Sequence, residues 1–188
     1  MRRFSFKPTL TMKGRQFKGV RGYAGKPTHP PLTDIPVGAI VLVAVLDVIS
    51  IIGGDDATWA HGFYTAGTVV LAAGAVVAVL AALTGWFDAW KSSDAGTQAR
   101  RTINAHALLM IIAVVAVLAN LILRFFAFGD DASTPVVVLV LSVASVLIGG
   151  LGATFGGAMV FEYGFNVETA GDHPVWSESE QDVFHGEH

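Results

Sequence analysis

Apolar residues in this chain fall into four long runs separated by short polar segments. The first, Ile35 to Ile52, contains one charge, Asp47, and at 1.5 Å per residue a helix over it covers about 27 Å, close to a bilayer core of about 30 Å. The second, Gly62 to Phe87, and the fourth, Pro135 to Phe161, carry no charge, while the third, Ile103 to Phe128, carries His106, Asn120 and Arg124. Runs this long do not fit inside a small soluble core, whereas in lipid a helix satisfies its own backbone hydrogen bonds. The pattern predicts an all-α membrane protein, with four transmembrane helices packed as an antiparallel bundle over residues 35–164. Thr33 or Asp34 is expected to cap the first helix, with Pro36 in its first turn, where a missing N–H goes unnoticed.

Helical spacing sorts the small and polar residues into faces. On the second run Gly67, Gly74, Ala78 and Gly85 share a side, and on the fourth Ser142, Ser145, Gly149, Gly152 and Gly156 do the same. Gly152 with Gly156, and Ala153 with Gly157, are small-xxx-small pairs of the kind that let helix backbones approach closely in lipid. Bundle packing is the expected use of these faces, and a homodimer contact the alternative. On the third run His106, Met110, Ala113, Val117, Asn120 and Arg124 share one side, which should face the bundle interior because polar groups are costly against lipid. Arg124 lies near the outer end of its span and can either snorkel to the interface or pair with Asp47, which lies near the same end of the first span; the pair is the favoured of the two.

Composition agrees with a membrane chain: of 188 residues 53% are hydrophobic and 14% charged, with a mean hydropathy of +0.57, where soluble domains carry about 25% charged residues. There is no cysteine, which excludes disulfides, thiolate metal sites and covalently attached c-type haem. Walker, serine-hydrolase, dinucleotide and HExxH patterns are also lacking, which excludes those enzyme classes.

The small net charge of −3 conceals a segregation. Residues 1–34 hold eight Lys or Arg against Asp34 alone, and Lys91, Arg100 and Arg101 lie between the second and third runs. The other two loops hold Asp55, Asp56, Asp130 and Asp131 with no basic residue. Positive charge stays inside, so a plasma-membrane protein with both termini cytoplasmic is expected. Arg2 and Arg3 lie too far from an apolar segment for a twin-arginine signal, so residues 1–34 read as a retained basic arm. Its interleaved Phe4, Phe6, Phe17 and Tyr23 suit the anionic inner leaflet or an acidic membrane partner subunit rather than nucleic acid. Residues 165–188 form an acidic tail containing Glu168, Asp172, Glu178, Glu180, Asp182 and Glu187, and both tails are expected to be mobile.

Four short stretches resemble a known family. They are His29-Pro30-Pro31-Leu32-Thr33-Asp34-Ile35-Pro36-Val37-Gly38, Thr84-Gly85-Trp86-Phe87-Asp88, Asn104-Ala105-His106, and Gly156-Gly157-Ala158-Met159-Val160-Phe161-Glu162-Tyr163-Gly164. In this order, over residues 27 to 168, they resemble the small bacterial membrane proteins of domain-of-unknown-function family 2231. Fusion of relatives to Rieske or cytochrome domains implies a link to electron transfer.

Independently of that resemblance, the topology puts the four stretches at one membrane level, so His29, Asp34, Trp86, Asp88, His106, Glu162 and Tyr163 can converge. His29, His106, Trp86 and Tyr163 are the candidate cofactor-binding residues, and His29, His106, Asp34 and Asp88 the candidate metal ligands. Two imidazoles can ligate a b-type haem, join a carboxylate around a divalent metal, hydrogen-bond a quinone head group or relay protons. The same residues can equally serve structure alone, as helix caps, a tie for the arm and interfacial anchors. His61 belongs to the opposite interface, and His173, His185 and His188 to the acidic tail. The reading from sequence is therefore a non-catalytic accessory or scaffold subunit. Its first rival is a haem-, metal- or quinone-binding electron-transfer component using His29 and His106. The second is a small transporter with a wet path past Asp47, Asn120 and Arg124.

Orientation can be checked against a clean background, because the chain lacks cysteine. In intact cells an impermeant thiol reagent should modify Ala132→Cys, and should reach Ala95→Cys only after permeabilisation. The reverse pattern would invert the topology, and external labelling of both would break the four-span count.

Overall fold

The computed structural model describes residues 19–22 and 25–165. The described chain is an all-α four-helix bundle: α1 (His29–Gly53), α2 (Ala60–Ser92), α3 (Gln98–Phe126) and α4 (Val136–Phe161). All four helices are long and apolar enough to cross a membrane. Their outer faces present large apolar side chains, among them Ile52, Val69, Leu83 and Leu147, as lipid requires. Most of the basic arm and the acidic tail, with the expectation that they are mobile, lie outside the described residues.

α1, α2 and the start of α3 extend beyond the apolar runs because polar first and last turns leave no hydrophobic signal, whereas α3 ends two residues before its run does and α4 starts one residue inside its own. At α1 this corrects the expected cap. The helix starts at His29 with Thr28 as its N-cap residue, and Thr33 Oγ1 donates to the Pro30 carbonyl at 2.7 Å instead of capping anything. Pro30 and Pro31 have their φ angles preset and lack only N–H groups that a first turn leaves unpaired. Pro36 consequently lies inside the helix, where it denies the Leu32 carbonyl a partner. At the same end of the bundle, α2, with 33 residues and a length of about 50 Å, carries its last turns beyond the hydrocarbon. The turn into α3 is held by Thr97, which accepts the Arg100 N–H at 3.1 Å. Arg100 Nη1 in turn donates to the Ala89 carbonyl at 2.7 Å and to Ser93 Oγ at 2.9 Å.

Helices pair most intimately as α1 with α2 and α3 with α4. The start of α1 lies against the end of α2, where His29 meets Ala81. The end of α1 lies against the start of α2, where Ser50 meets Ala60. Glycines make the approach possible. A methyl group at Gly74 would sit 2.6 Å from Ala39 Cβ, and one at Gly152 would sit 2.7 Å from Met110 Sδ. Gly150 and Gly157 meet nothing within 4 Å, so the Gly152/Gly156 pair packs the bundle and Gly157 does not.

One end of the bundle contains a buried polar clamp joining all four helices. Arg124 Nη2 of α3 and Asp47 Oδ2 of α1 form an ion pair at 2.5 Å, both side chains being fully buried. Asp47 also accepts from Ser142 Oγ at 2.5 Å and from Thr134 Oγ1 at 3.2 Å. The guanidinium spends its other donors on Asn120 Oδ1, Thr68 Oγ1 and the Tyr64 carbonyl, and it lies 4.9 Å from the Tyr64 ring centre. Asn120 completes the set by donating to Ser142 Oγ at 2.8 Å and to the Val138 carbonyl at 3.2 Å. Gly67 leaves room for the pair, since a Cβ there would sit 3.4 Å from both Arg124 Nη1 and Asp47 Oδ1. The next layer is apolar, formed by Val43, Leu71, Ala75, Val117 and Leu121. Beside Pro36 there is a cavity of about 20 Å³ lined only by apolar atoms of Pro36, Ala39, Leu71, Gly74 and their neighbours. Cavities of that character stay dry.

Interhelical hydrogen bonds in membranes contribute about 0.6 kcal/mol on average, whereas stranding one member of a buried ion pair costs about 3–5 kcal/mol. Asp47→Asn and Arg124→Gln should therefore each destabilise strongly, and the double variant by much less than their sum. Thermal unfolding in mild detergent reads the cycle, and additive losses would refute the coupling.

Candidate functional site

The opposite end of the bundle brings two histidines together. His29 opens α1 and His106 lies two turns into α3, yet their ring centres are 6.4 Å apart with the planes at 84°. Each ring is half-buried and tied to the backbone of its neighbouring helix. His29 Nδ1 donates to the Ala81 carbonyl of α2 at 2.9 Å, and His106 Nδ1 donates to the Gly152 carbonyl of α4 at 2.8 Å. A carbonyl oxygen only accepts, so Nδ1 carries a proton in both rings, and Nε2 is the nitrogen that presents a lone pair when the ring is neutral. Among the described residues neither Nε2 has a hydrogen-bond partner.

The two halves of the chain repeat one device. In each, a histidine bonds a carbonyl on the following helix, and a glycine one turn beyond that carbonyl faces the ring: Ala81 and Gly85 for His29, Gly152 and Gly156 for His106. A Cβ at Gly85 would stand 2.6 Å from His29 Cε1, and one at Gly156 would stand 3.3 Å from His106 Cε1. Small residues are needed here because an imidazole lies flat against helix backbone. Gly85, Gly152 and Gly156 are legible in the sequence as packing residues. Their service to the histidines is not, and the Ala81 carbonyl leaves no mark in it at all.

Asp88 stands next to the pair. Its side chain is 8% exposed, and Oδ1 accepts the Val20 N–H at 2.7 Å. Val20 returns its carbonyl to the Thr28 N–H at 3.1 Å, and Gly22 N–H bonds the Lys26 carbonyl at 2.7 Å. A bridge between Arg21 and Pro27 completes a fold-back of the segment leading into α1. Asp88 thus straps the end of the arm over the His29 end of the bundle, and it lies close enough to His29 for the two to interact electrostatically. Tyr163 joins the seam between α3 and α4, its hydroxyl accepting a long bond from Thr102 Oγ1 at 3.4 Å.

Three of the residues read from sequence stay outside this cluster: Glu162 is exposed at the C-cap of α4, and Trp86 and Asp34 also lie outside. Trp86 is 74% exposed and faces outward with Trp90, as an interfacial anchor does, and Asp34 is exposed on α1. The reason is helical phase, since membrane level alone does not bring a side chain inward. Among the described residues no group of three or more His, Asp or Glu side chains is placed to hold a metal ion. The set His29, His106, Asp34 and Asp88 is therefore not gathered around a common point. His61 lies at the clamp end, its Nδ1 donating to the Asp131 carbonyl at 2.8 Å.

The motif-bearing ends meet at one end of the fold, and the family pattern covers the same elements. The chain belongs to the family described as predicted membrane protein (DUF2231), whose pattern matches residues 25–169. No curated protein and no solved structure matches it. As in this DUF2231 member as a whole, the matched region contains all four helices and both histidines, so the pair lies in the family domain and not in the tails.

Removing the Asp88 carboxylate should free the strap. Asp88→Ala should speed hydrogen exchange at the Val20 amide and tryptic cleavage after Arg21, while Asp88→Asn, which keeps an acceptor oxygen, should do so less. Equal protection in wild type and Asp88→Ala would remove the strap's anchor.

Proposed function

We propose that this protein is an electron-carrying accessory subunit of a bacterial plasma-membrane complex, binding one b-type haem between His29 and His106. The observation that carries the reading is the pair of tethered imidazoles, 6.4 Å apart with both Nδ1 atoms committed to backbone carbonyls. A neutral Nε2 offers a lone pair and no proton. It can bind a metal, but it cannot donate to the carbonyl oxygen of a quinone. A bare divalent ion takes three or four protein ligands, and only two imidazoles are present. Haem iron brings four ring nitrogens of its own and needs only axial ligands. Two imidazoles on opposite sides of one iron, at metal–nitrogen distances of about 2 Å, place their ring centres about 6 Å apart. Lack of cysteine makes the attachment non-covalent.

Such a group would supply one-electron transfer, and with both axial positions filled it would carry electrons without binding a substrate. The residues of the chain orient the two ligands: the Ala81 and Gly152 carbonyls fix each tautomer and raise the basicity of the free nitrogen, as partners of metal-bound histidines do. The charge pattern supports cytoplasmic termini, with the site at the inner leaflet. There the basic arm and Lys91, which lies 4.8 Å over the Trp90 ring, suit anionic lipid. The dry layer of Val43, Leu71, Val117 and Leu121 lies between the histidines and the clamp and argues against a transport path.

Protein purified in mild detergent should show a Soret band, or gain one on titration with haemin. His29→Ala and His106→Ala should each convert the low-spin spectrum or abolish binding, with His61→Ala as the unchanged control. A colourless protein that takes up no haemin would overturn the proposal.

A further inference from the structure

We infer that Gly85 and Gly156 are positioning residues that hold the two imidazole planes crossed and thereby set the electronic state of an iron ligated between them. This rests on the two-histidine haem reading above and goes on to the orientation of the ligands.

The planes stand at 84°, near a right angle, and each ring is held in two ways. Its Nδ1–H bond prevents it from sliding along the neighbouring helix. The backbone at the glycine one turn further on prevents it from turning. The constraint is tightest at His29, where a Cβ on Gly85 would lie 2.6 Å from Cε1, 2.9 Å from Nδ1 and 3.1 Å from Nε2. The face of that ring therefore rests against α2. At His106 a Cβ on Gly156 would lie 3.3 Å from Cε1 and 3.4 Å from Nδ1, a contact that a few tenths of an ångström would relieve. Both carbonyls and both glycines sit on helices whose axes the clamp at the far end holds in place. The crossing angle is therefore a property of the bundle and not of a mobile loop.

The angle has an electronic consequence. A bound imidazole donates through a filled π orbital perpendicular to its ring, into the iron d orbital lying in that direction. Two parallel rings act on the same d orbital and separate it from its partner. Two crossed rings act on one each, so the two orbitals stay nearly equal in energy. A low-spin ferric iron in that state retains orbital angular momentum, and its paramagnetic resonance is highly anisotropic, with a single low-field feature. Parallel ligands give three resolved features. Orientation of the axial ligands is among the levers by which a protein tunes a haem.

The test is electron paramagnetic resonance of the ferric haem-loaded protein, with its visible spectrum recorded in parallel. Wild type should give the single low-field low-spin feature. Gly85→Ala should turn the His29 ring and move the signal toward three features while the Soret band persists. Gly156→Ala should do so to a smaller extent, and it serves alone if Gly85→Ala does not fold. Gly150→Ala, where a Cβ meets nothing within 4 Å, should leave the signal unchanged. A three-feature signal in wild type, or identical signals in wild type and both site variants, would overturn the inference while leaving the haem reading intact. Failure to bind haem at all would overturn both.

Discussion

In a bilayer core no water stands ready to satisfy a polar side chain, and the ion pair between Asp47 and Arg124 is the part of this fold most exposed to that constraint. Neither group survives there alone at modest cost. The structure meets the demand in full: each carboxylate oxygen and each guanidinium nitrogen has a partner, and the partners come from α1, α2, α3, α4 and the segment just before α4. A network complete in this way specifies one arrangement of four helices. Apolar helices in lipid could otherwise slide or rotate against one another at little cost, because hydrocarbon solvates them as well as a neighbouring helix does. The glycine faces act in the same direction, by making close approach available in some rotational settings and not in others.

The bundle is organised in layers along its axis. The clamp fixes the far end, the Val43, Leu71, Val117 and Leu121 layer excludes water between the ends, and the histidine pair occupies the near end. A rigid and dry support of this kind is what a ligand pair needs if its geometry is to be set by the protein. It is poorly suited to a conduit, which needs polar contacts along its whole length. The strap anchored by Asp88 closes the near end and connects the basic arm to it. The described end of that arm is therefore tied to α2, the helix that neighbours His29.

How far the histidine site was legible before folding depends on the residue. His29, His106 and Asp88 are rare polar residues flanking apolar runs, and topology alone brings them to one level. Asp34 and Trp86 share that level and also flank runs, but their helical phase turns them outward. The first helix starts at His29, ahead of its apolar run, for a related reason. Pro30 and Pro31 are polar-segment residues by pattern but helix starters by stereochemistry, and hydropathy registers only the former.

Four membrane spans, their charge asymmetry, the lipid-facing character of most residues and the small-residue faces were all determined by the sequence by itself, because hydrophobicity and covalent order are local properties. Which carbonyl lies across from which imidazole was decided only by the tertiary structure. So were the proton positions that follow from those contacts, the angle between the rings and the completion of the clamp by Ser142, Thr134 and Asn120. Those contacts depend on how each helix is rotated about its axis and how deep it sits beside its neighbour. A periodic pattern of small and polar residues narrows these two variables, and only close packing sets them.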